Sequence, residues 1–595
     1  MTSSDVWYIG DDFTHLTPHA DVVVAWNEFA DGVSRHLSLP SFVRDHTSHY
    51  RAAVLSFLRN VETSPHPAGD LIESLRTDDD LSYWWMTLIF AKRWGDLGVL
   101  PDAVKVLALA DLLAEQRPRL LIIAVSNERT LQSIASTANL LGIPHESKNA
   151  SSAQHSPRAV LRAVRILLSG VRLTPRKPVP QSETVIADYL FRVDPQSLKT
   201  GVFRSQYWAD LPEMLERGVL WLHRFTPHSA TPTRRRARQL VKRFNSSDRA
   251  DNHVLLDDIH GLHELRATLR RYRTIRRLGR QSPDIALRFR SERADLWPIF
   301  KFDWEESFRG SHAMSMAMLH TALESTTGSA PGVKRCLYIY ENQPWEAALV
   351  RAWRKHHPAP LIAVPHSTIR FWDLRYFVSA GTLTDSRFGK PDVIAVNSPL
   401  ARRELEQGGW SADHLCEVEA LMYLYLNTPD SACGQGDEIV VLGELDHAST
   451  QRYLQFLTHA RQKSATHHAV VFKAHPLVDA TTFDLQPLNA TASTDHVSDL
   501  LRRARVLITG ASGSTVLEAL SRGIPTICVL DPAELDLSTI HKHPLLKVVG
   551  TVDEFESALV DLLASTTARA TTDHSLFHVD ADLKRWRRLL LEPNA

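Results

Sequence analysis

Short apolar runs alternate with stretches of helical periodicity along most of the chain. Residues 6–9, 21–26 (apolar after Asp21) and 120–125 are short apolar runs, while 101–118 and 128–141 place apolar side chains at helical spacing. That succession predicts βαβ units and parallel sheets. Gly142 and Pro144 follow the second helix as its stop signals. The pattern breaks over 150–185, where Pro157, Pro175, Pro178 and Pro180 surround one amphipathic segment, RAVLRAVRILLSGVRL. A polar, basic stretch at 226–252 reads as a loop, and helical sequence resumes over 259–281. From residue 333 the strand–helix alternation returns, with strands expected at 335–340, 361–364 and 392–396 and helices at 344–357 and up to about 407.

The loop-rich stretch 427–437 reads as a linker. Beyond it the alternation restarts, with strands at 438–442, 469–473, 505–509 and 525–530 and helices at 449–462 and 514–522. The fold class is therefore α/β, with two Rossmann-like domains and a cleft between them. Residues 1–426 form the first domain, with a helical insertion at about 150–330, and 438–595 form the second.

Charge narrows the partners. Lys plus Arg equals Asp plus Glu at 68 each, so the chain as a whole is no polyanion binder. The excess is local, in 158–177 and 231–280. Such segments suit either a helical face packed on its own domain or contact with an anionic membrane surface, and 231–280 also suits an anionic glycan acceptor. The basic stretch lacks interleaved aromatic residues, so nucleic acid is not an expected partner. The four cysteines form no CxxC or Cys/His zinc pattern and fit a reducing compartment. With no leader-like start and no membrane span, the expected location is cytoplasmic, at most peripheral at the inner membrane face.

Ligands of open parallel sheets bind at the carboxyl ends of strands, so motifs there carry the chemistry. In the C-terminal half, the run 470–472 ends at Lys473, Ala474, His475 and Pro476. The run 506–509 enters a turn of Gly510, Ala511, Ser512, Gly513, Ser514 and Thr515 that opens a helix bearing Glu518. Free backbone amides and the helix dipole make such a turn an anion site, or the hydroxyls simply cap the helix. Gly443 and Glu444 end the first strand of this half, where they can contact base or sugar or form a solvated turn. In the N-terminal half, Glu341, Asn342, Gln343 and Trp345 follow one strand. His366, Arg370, Trp372 and Arg375 follow the next. The Trp faces suit sugar stacking or ordinary packing, and the arginines suit carboxylate or phosphate.

The order of His-Pro, the Ser/Thr turn, the Glu-bearing helix and Gly523-Ile524-Pro525 resembles the C-terminal domain of GT-B glycosyltransferases. The likeness is to bacterial enzymes that use CMP-activated acidic sugars. It implies that His475, Ser512, Ser514 and Thr515 hold the nucleotide phosphate, with Gly443, Glu444, Lys473, Gly513 and Glu518 around the donor. The Glu and Gly-x-Pro part is shared with glycerophosphotransferases and does not specify the nucleotide. With Asp303-Trp304-Glu305-Glu306, residues 203–208 and Tyr83-Trp84-Trp85-Met86, the chain also resembles bacterial surface carbohydrate (O-antigen and lipopolysaccharide) biosynthesis proteins. That likeness covers most of the chain; 1–80 and 226–252 are least distinctive.

The implied activity is sugar transfer from a nucleotide-sugar donor to a glycan or lipid-linked acceptor. The alternatives are polyol-phosphate transfer or a non-catalytic role in assembly. An inverting transfer needs a general base, for which Glu341 is the first candidate and His366 and Asp303 are rivals. The acceptor side is assigned Asn342, Gln343, Trp345, Arg370, Trp372 and Arg375. No cofactor or metal is implied, because no DxD stands at a convincing strand end; Asp78-Asp79-Asp80 reads as a helix cap run.

Overall fold

The computed structural model describes residues 5–11, 20–30, 35–65, 69–78, 80–93, 99–147, 159–191, 193–215, 218–228, 230–247, 251–427, 436–463, 468–476, 478–511, 513–564 and 575–592. It holds three large parallel sheets where the sequence pattern suggests two.

The first sheet contains β1 (Val6–Gly10), β2 (Val22–Ala25), β3 (His36–Ser38), β4 (Leu120–Ala124) and β5 (His145–Ser147), in the order β3-β2-β1-β4-β5. The helix Glu128–Leu141 ends as expected, with Gly142 at φ 69° in the left-handed region. A short strand β6 (Val171–Arg172) comes next in the chain. The second sheet then begins with β7 (Thr184–Tyr189), β8 (Val219–Arg224) and β9 (Asn252–Leu255). After β10 (Ile259–His260), which pairs only with β6, the second sheet is completed by β11 (Arg335–Ile339), β12 (Leu361–Val364), β13 (Val393–Val396) and β14 (Leu415–Glu417). Its order is β14-β13-β12-β11-β7-β8-β9. The third sheet, β17-β16-β15-β18-β19-β20, is built from β15 (Glu438–Leu442), β16 (Val470–Lys473), β17 (Ala490–Ala492), β18 (Ala504–Gly510), β19 (Thr526–Val529) and β20 (Leu546–Val549).

The stretch read as a helical insertion therefore does two jobs. Its strands β7, β8 and β9 form three of the seven strands of the second sheet, and its helices fill the space beside it. The helix Ser311–Thr327 is buried along nearly its whole length and packs against Ala159–Gly170, Gly261–Arg280 and Pro344–His356. One apolar core runs from Trp7 and Val24 of the first sheet through Met316 and Leu319 of this layer to Trp345 and Trp353 beside the second. The loop expected over 226–252 is largely a helix, Arg234–Ser247. Ala237, Leu240, Val241 and Phe244 lie at helical spacing and are buried, so a single apolar stripe suffices to dock an otherwise basic helix. The residues Asp78 and Asp80 cap nothing: the following 3-10 turn Tyr83–Met86 is capped by Ser82, and Asp80 pairs with Arg76.

The third unit has cores of its own and meets the second through Tyr423 and Leu426 against Val516 and Leu517. The C-terminal helix Lys584–Leu591 returns to the second unit, where the Trp586 indole donates to the Glu419 carbonyl at 2.9 Å. Among the described residues no helix is long and apolar enough to cross a membrane.

Candidate functional site

Each large sheet reverses its strand order once, and the crevice beside that reversal is where open α/β sheets bind ligands. In the second sheet the reversal lies between β7 and β11. Asp188 and Tyr189 end β7, and Glu341 follows β11 by two residues. His366 stands beyond the neighbouring β12. The sequence therefore placed Glu341 and His366 at one strand edge, and the structure brings their side chains together: His366 Nε2 lies 3.8 Å from Glu341 Oε1.

Arg375 joins them. Its guanidinium lies 3.4 Å from Glu341 Oε1 and holds Asp373 with two bonds of 2.7 Å. The Asp373 carboxyl is held below the usual range: the Arg375 charge and hydrogen bonds overcome the opposing effect of burial. Asn342 sits at φ 50°, and its side-chain amide donates to the Arg375 carbonyl at 2.7 Å. The strained turn at 342 is thus tied to the loop that carries the arginine. Glu346, three residues into the helix Pro344–His356, accepts from the amides of Glu341 and Gln343, both at 3.0 Å. Glu346 and Gln343 form a capping box, so Gln343 supports the helix start. Burial pushes Glu346 up to about 8.

Asp188 is a member of this cluster that the sequence reading missed. Its carboxylate accepts from the Trp208 indole at 2.9 Å and from the Tyr189 amide at 2.6 Å. Burial is the main cause that pushes it up to about 7, and the charge of Glu341 adds to the shift. The Tyr207 ring lies 4.7 Å from that of His366. The available signal was the same one used elsewhere, an apolar run, 184–187, ending in an acid.

Other assigned residues fall differently. Trp345 and Trp372 are 0% and 2% exposed, so protein covers both ring faces and neither can stack on a sugar. Trp345 instead donates to the Tyr189 hydroxyl at 2.9 Å. Arg370 is also buried, so it is not open to a carboxylate or phosphate of a ligand. Asp303 is not at a strand end. It lies on the helix Trp297–Arg309, buried and paired with Arg93 at 3.2 Å. Its carboxyl is raised, with burial the main cause.

The third sheet reverses between β15 and β18. Glu444 follows β15, and its carboxylate lies across the end of β18. A Cβ on Gly510 would fall 1.5 Å from Glu444 Oε1, so only glycine permits this approach. A cavity of about 530 Å³ opens here, walled by Phe29 of the first unit and by Glu444, Arg452, Tyr453, Gly510 and Asp531. Arg452 and Asp531 form an ion pair with a closest approach of 2.7 Å. Neither was marked in the sequence: Arg452 lies within the helix His447–Lys463, and Asp531 follows β19 by two residues, a strand-end position the reading passed over.

Gly443 closes β15 against Ala474. Lys473 and His475 stand at the end of β16, and Gly513, Ser514 and Thr515 follow β18. All share one sheet edge with β15 between them, so about 10 Å separates the two strands. Ser514 occupies the N-cap of the helix Thr515–Ser521 without a capping bond from its side chain. Glu518, expected around the donor, accepts a hydrogen bond from the Tyr425 hydroxyl. Ser512 lies outside the described residues. Among the described residues no group of three or more His, Cys, Asp or Glu is placed to hold a metal ion.

No protein-family model and no curated protein matches this sequence. Solved structures with a similar arrangement include a UDP-N-acetylglucosamine 2-epimerase (10% identity, 69% of this chain and 95% of that one, TM-score 0.35). They also include LpCGTa in complex with UDP (12%, 69% and 98%, 0.37). A third is MurG of Acinetobacter baumannii (11%, 64% and 91%, 0.33). Scores this low assign neither fold family nor activity, and the functional conclusion rests on the site itself.

Proposed function

We propose that the chain is a GT-B-type glycosyltransferase that moves a sugar from a nucleotide donor to a glycan or lipid-linked acceptor of bacterial surface carbohydrate. The observation that carries this reading is the Glu341–His366–Arg375 cluster at the reversal point of the second sheet. Glu341 removes the proton of the acceptor hydroxyl as the anomeric carbon opens, and His366 and Arg375 hold that carboxylate in place. Asn342 positions Arg375, and Gln343 positions Glu341 through the helix cap. On the third sheet, Lys473, His475, Gly513, Ser514 and Thr515 take the negative charge of the departing phosphate, and Glu444 with Gly510 borders the nucleotide. Glu518 approaches the ribose once it leaves Tyr425.

A thermal-shift panel of CMP, CDP, UDP and GDP with their sugars, and of a CDP-polyol, tests the donor side. A cytidine nucleotide is expected to raise Tm, and His475→Ala to weaken the shift. Equal shifts in the variant and the parent remove His475 from the site. Stabilisation by a CDP-polyol but by no sugar nucleotide turns the reading to polyol-phosphate transfer. No shift from any nucleotide favours a non-catalytic protein.

A further inference from the structure

The helix Ala159–Gly170 has one face fully accounted for. Ala163, Leu167 and Gly170 are buried, and a Cβ on Gly170 would strike Met318, so the helix presses directly on Ser311–Thr327. An Arg162–Glu306 ion pair and bonds from Arg234 and Arg238 to the carbonyls of Ile166 and Ser169 hold it in place. Its other face is therefore held outward, and that face is aliphatic. Leu161 and Leu168 are 69% and 70% exposed, Val164 stands between them, and Leu173 beyond the helix is 82% exposed.

The acids near this helix, Glu306, Asp257 and Asp258, are buried in ion pairs with arginines, which leaves exposed cations beside the ridge. Arg165 and Lys177 are exposed beside it, and Arg235 and Arg236 are exposed between the two arginines that grip its C-terminal end. From Ser147 to Ser182 the sequence contains no Asp or Glu, in a chain that is neutral overall. An aliphatic ridge rimmed by cations matches the acyl boundary and phosphate layer of a membrane.

We infer that the helix Ala159–Gly170 and the following loop dock this protein on an anionic phospholipid surface. Leucines 161, 168 and 173 enter the headgroup boundary, and Arg165 and Lys177 meet lipid phosphates. The inference is independent of sugar transfer and stands or falls apart from it.

Flotation of the full chain with two vesicle types tests it: phosphatidylcholine alone, and equal parts phosphatidylcholine and phosphatidylglycerol. Binding is expected only to the second. The double variant Leu161→Ser, Leu168→Ser should weaken it about tenfold or more without lowering Tm, because both side chains are exposed. Arg165→Glu should weaken it too and should leave the remaining binding less sensitive to salt. No binding to either vesicle, or equal binding by parent and double variant, overturns the inference. So does a concentration-dependent dimer that the double variant abolishes, which would assign the ridge to a second copy of the chain.

Discussion

Replacing Glu341 by glutamine separates chemistry from fold at the proposed base. The side chain is about one-fifth exposed, at 19%. Its partner Arg375 keeps both bonds to Asp373 when the Glu341 charge is removed. The stability lost is then that of a part-exposed ion pair, about 1 kcal/mol or less. Loss of a general base costs roughly 10²- to 10⁴-fold in rate. At 1.36 kcal/mol per tenfold, that is roughly 3–5 kcal/mol in the barrier. The assay is release of free nucleotide from whichever nucleotide sugar raises Tm, in the presence of acceptor, alongside a thermal melt. Glu346 provides the contrast five residues on. Glu346→Gln keeps an acceptor oxygen for the two amides it binds and should change little at neutral pH. Glu346→Ala uncaps the helix at a cost of about 1–2 kcal/mol. A Glu341→Gln protein that retains a third or more of parental turnover refutes the assignment. A large Tm loss in the same variant would instead make Glu341 a structural residue.

Gly510→Ala should force the Glu444 carboxylate out of its place over β18. The expected cost is about 1–3 kcal/mol in a melt, with a weaker nucleotide-induced shift; no change in either would show that Glu444 moves freely. Asp188, raised to about 7 in the folded chain, stabilises the protein fully below its unfolded value near 3.9, and this contribution is lost as pH rises through about 7. Asp188→Asn should flatten the decline in stability between pH 4 and 7, and parallel pH profiles would contradict the burial argument. Trp345→Ala should cost about 3–5 kcal/mol in a denaturant melt, since it empties a buried site and removes the donor to Tyr189; a stable, folded variant would reopen a sugar-contact role.

What the sequence determined by itself is local. Apolar runs and helical spacing marked nearly every strand from 335 to 396 and from 438 to 530. The stop read at Gly142 held and the helix expected from 344 begins there, whereas the cap run read at Asp78-Asp79-Asp80 did not hold. Strand-end position was enough to put Glu341 and His366 in one crevice, because in a parallel sheet all carboxyl ends share an edge. Only the tertiary structure decided which strands form one sheet. The strands β7, β8 and β9 pair into a sheet with β11 to β14 across the intervening helices Gly261–Arg280, Trp297–Arg309 and Ser311–Thr327, and periodicity carries no record of such long-range pairing. Burial was likewise a tertiary matter: Trp345 and Trp372 have the same composition whether they stack on a sugar or fill a core. The packing of neighbouring elements, not the residues, placed Asp303 beside Arg93 and Glu444 over Gly510.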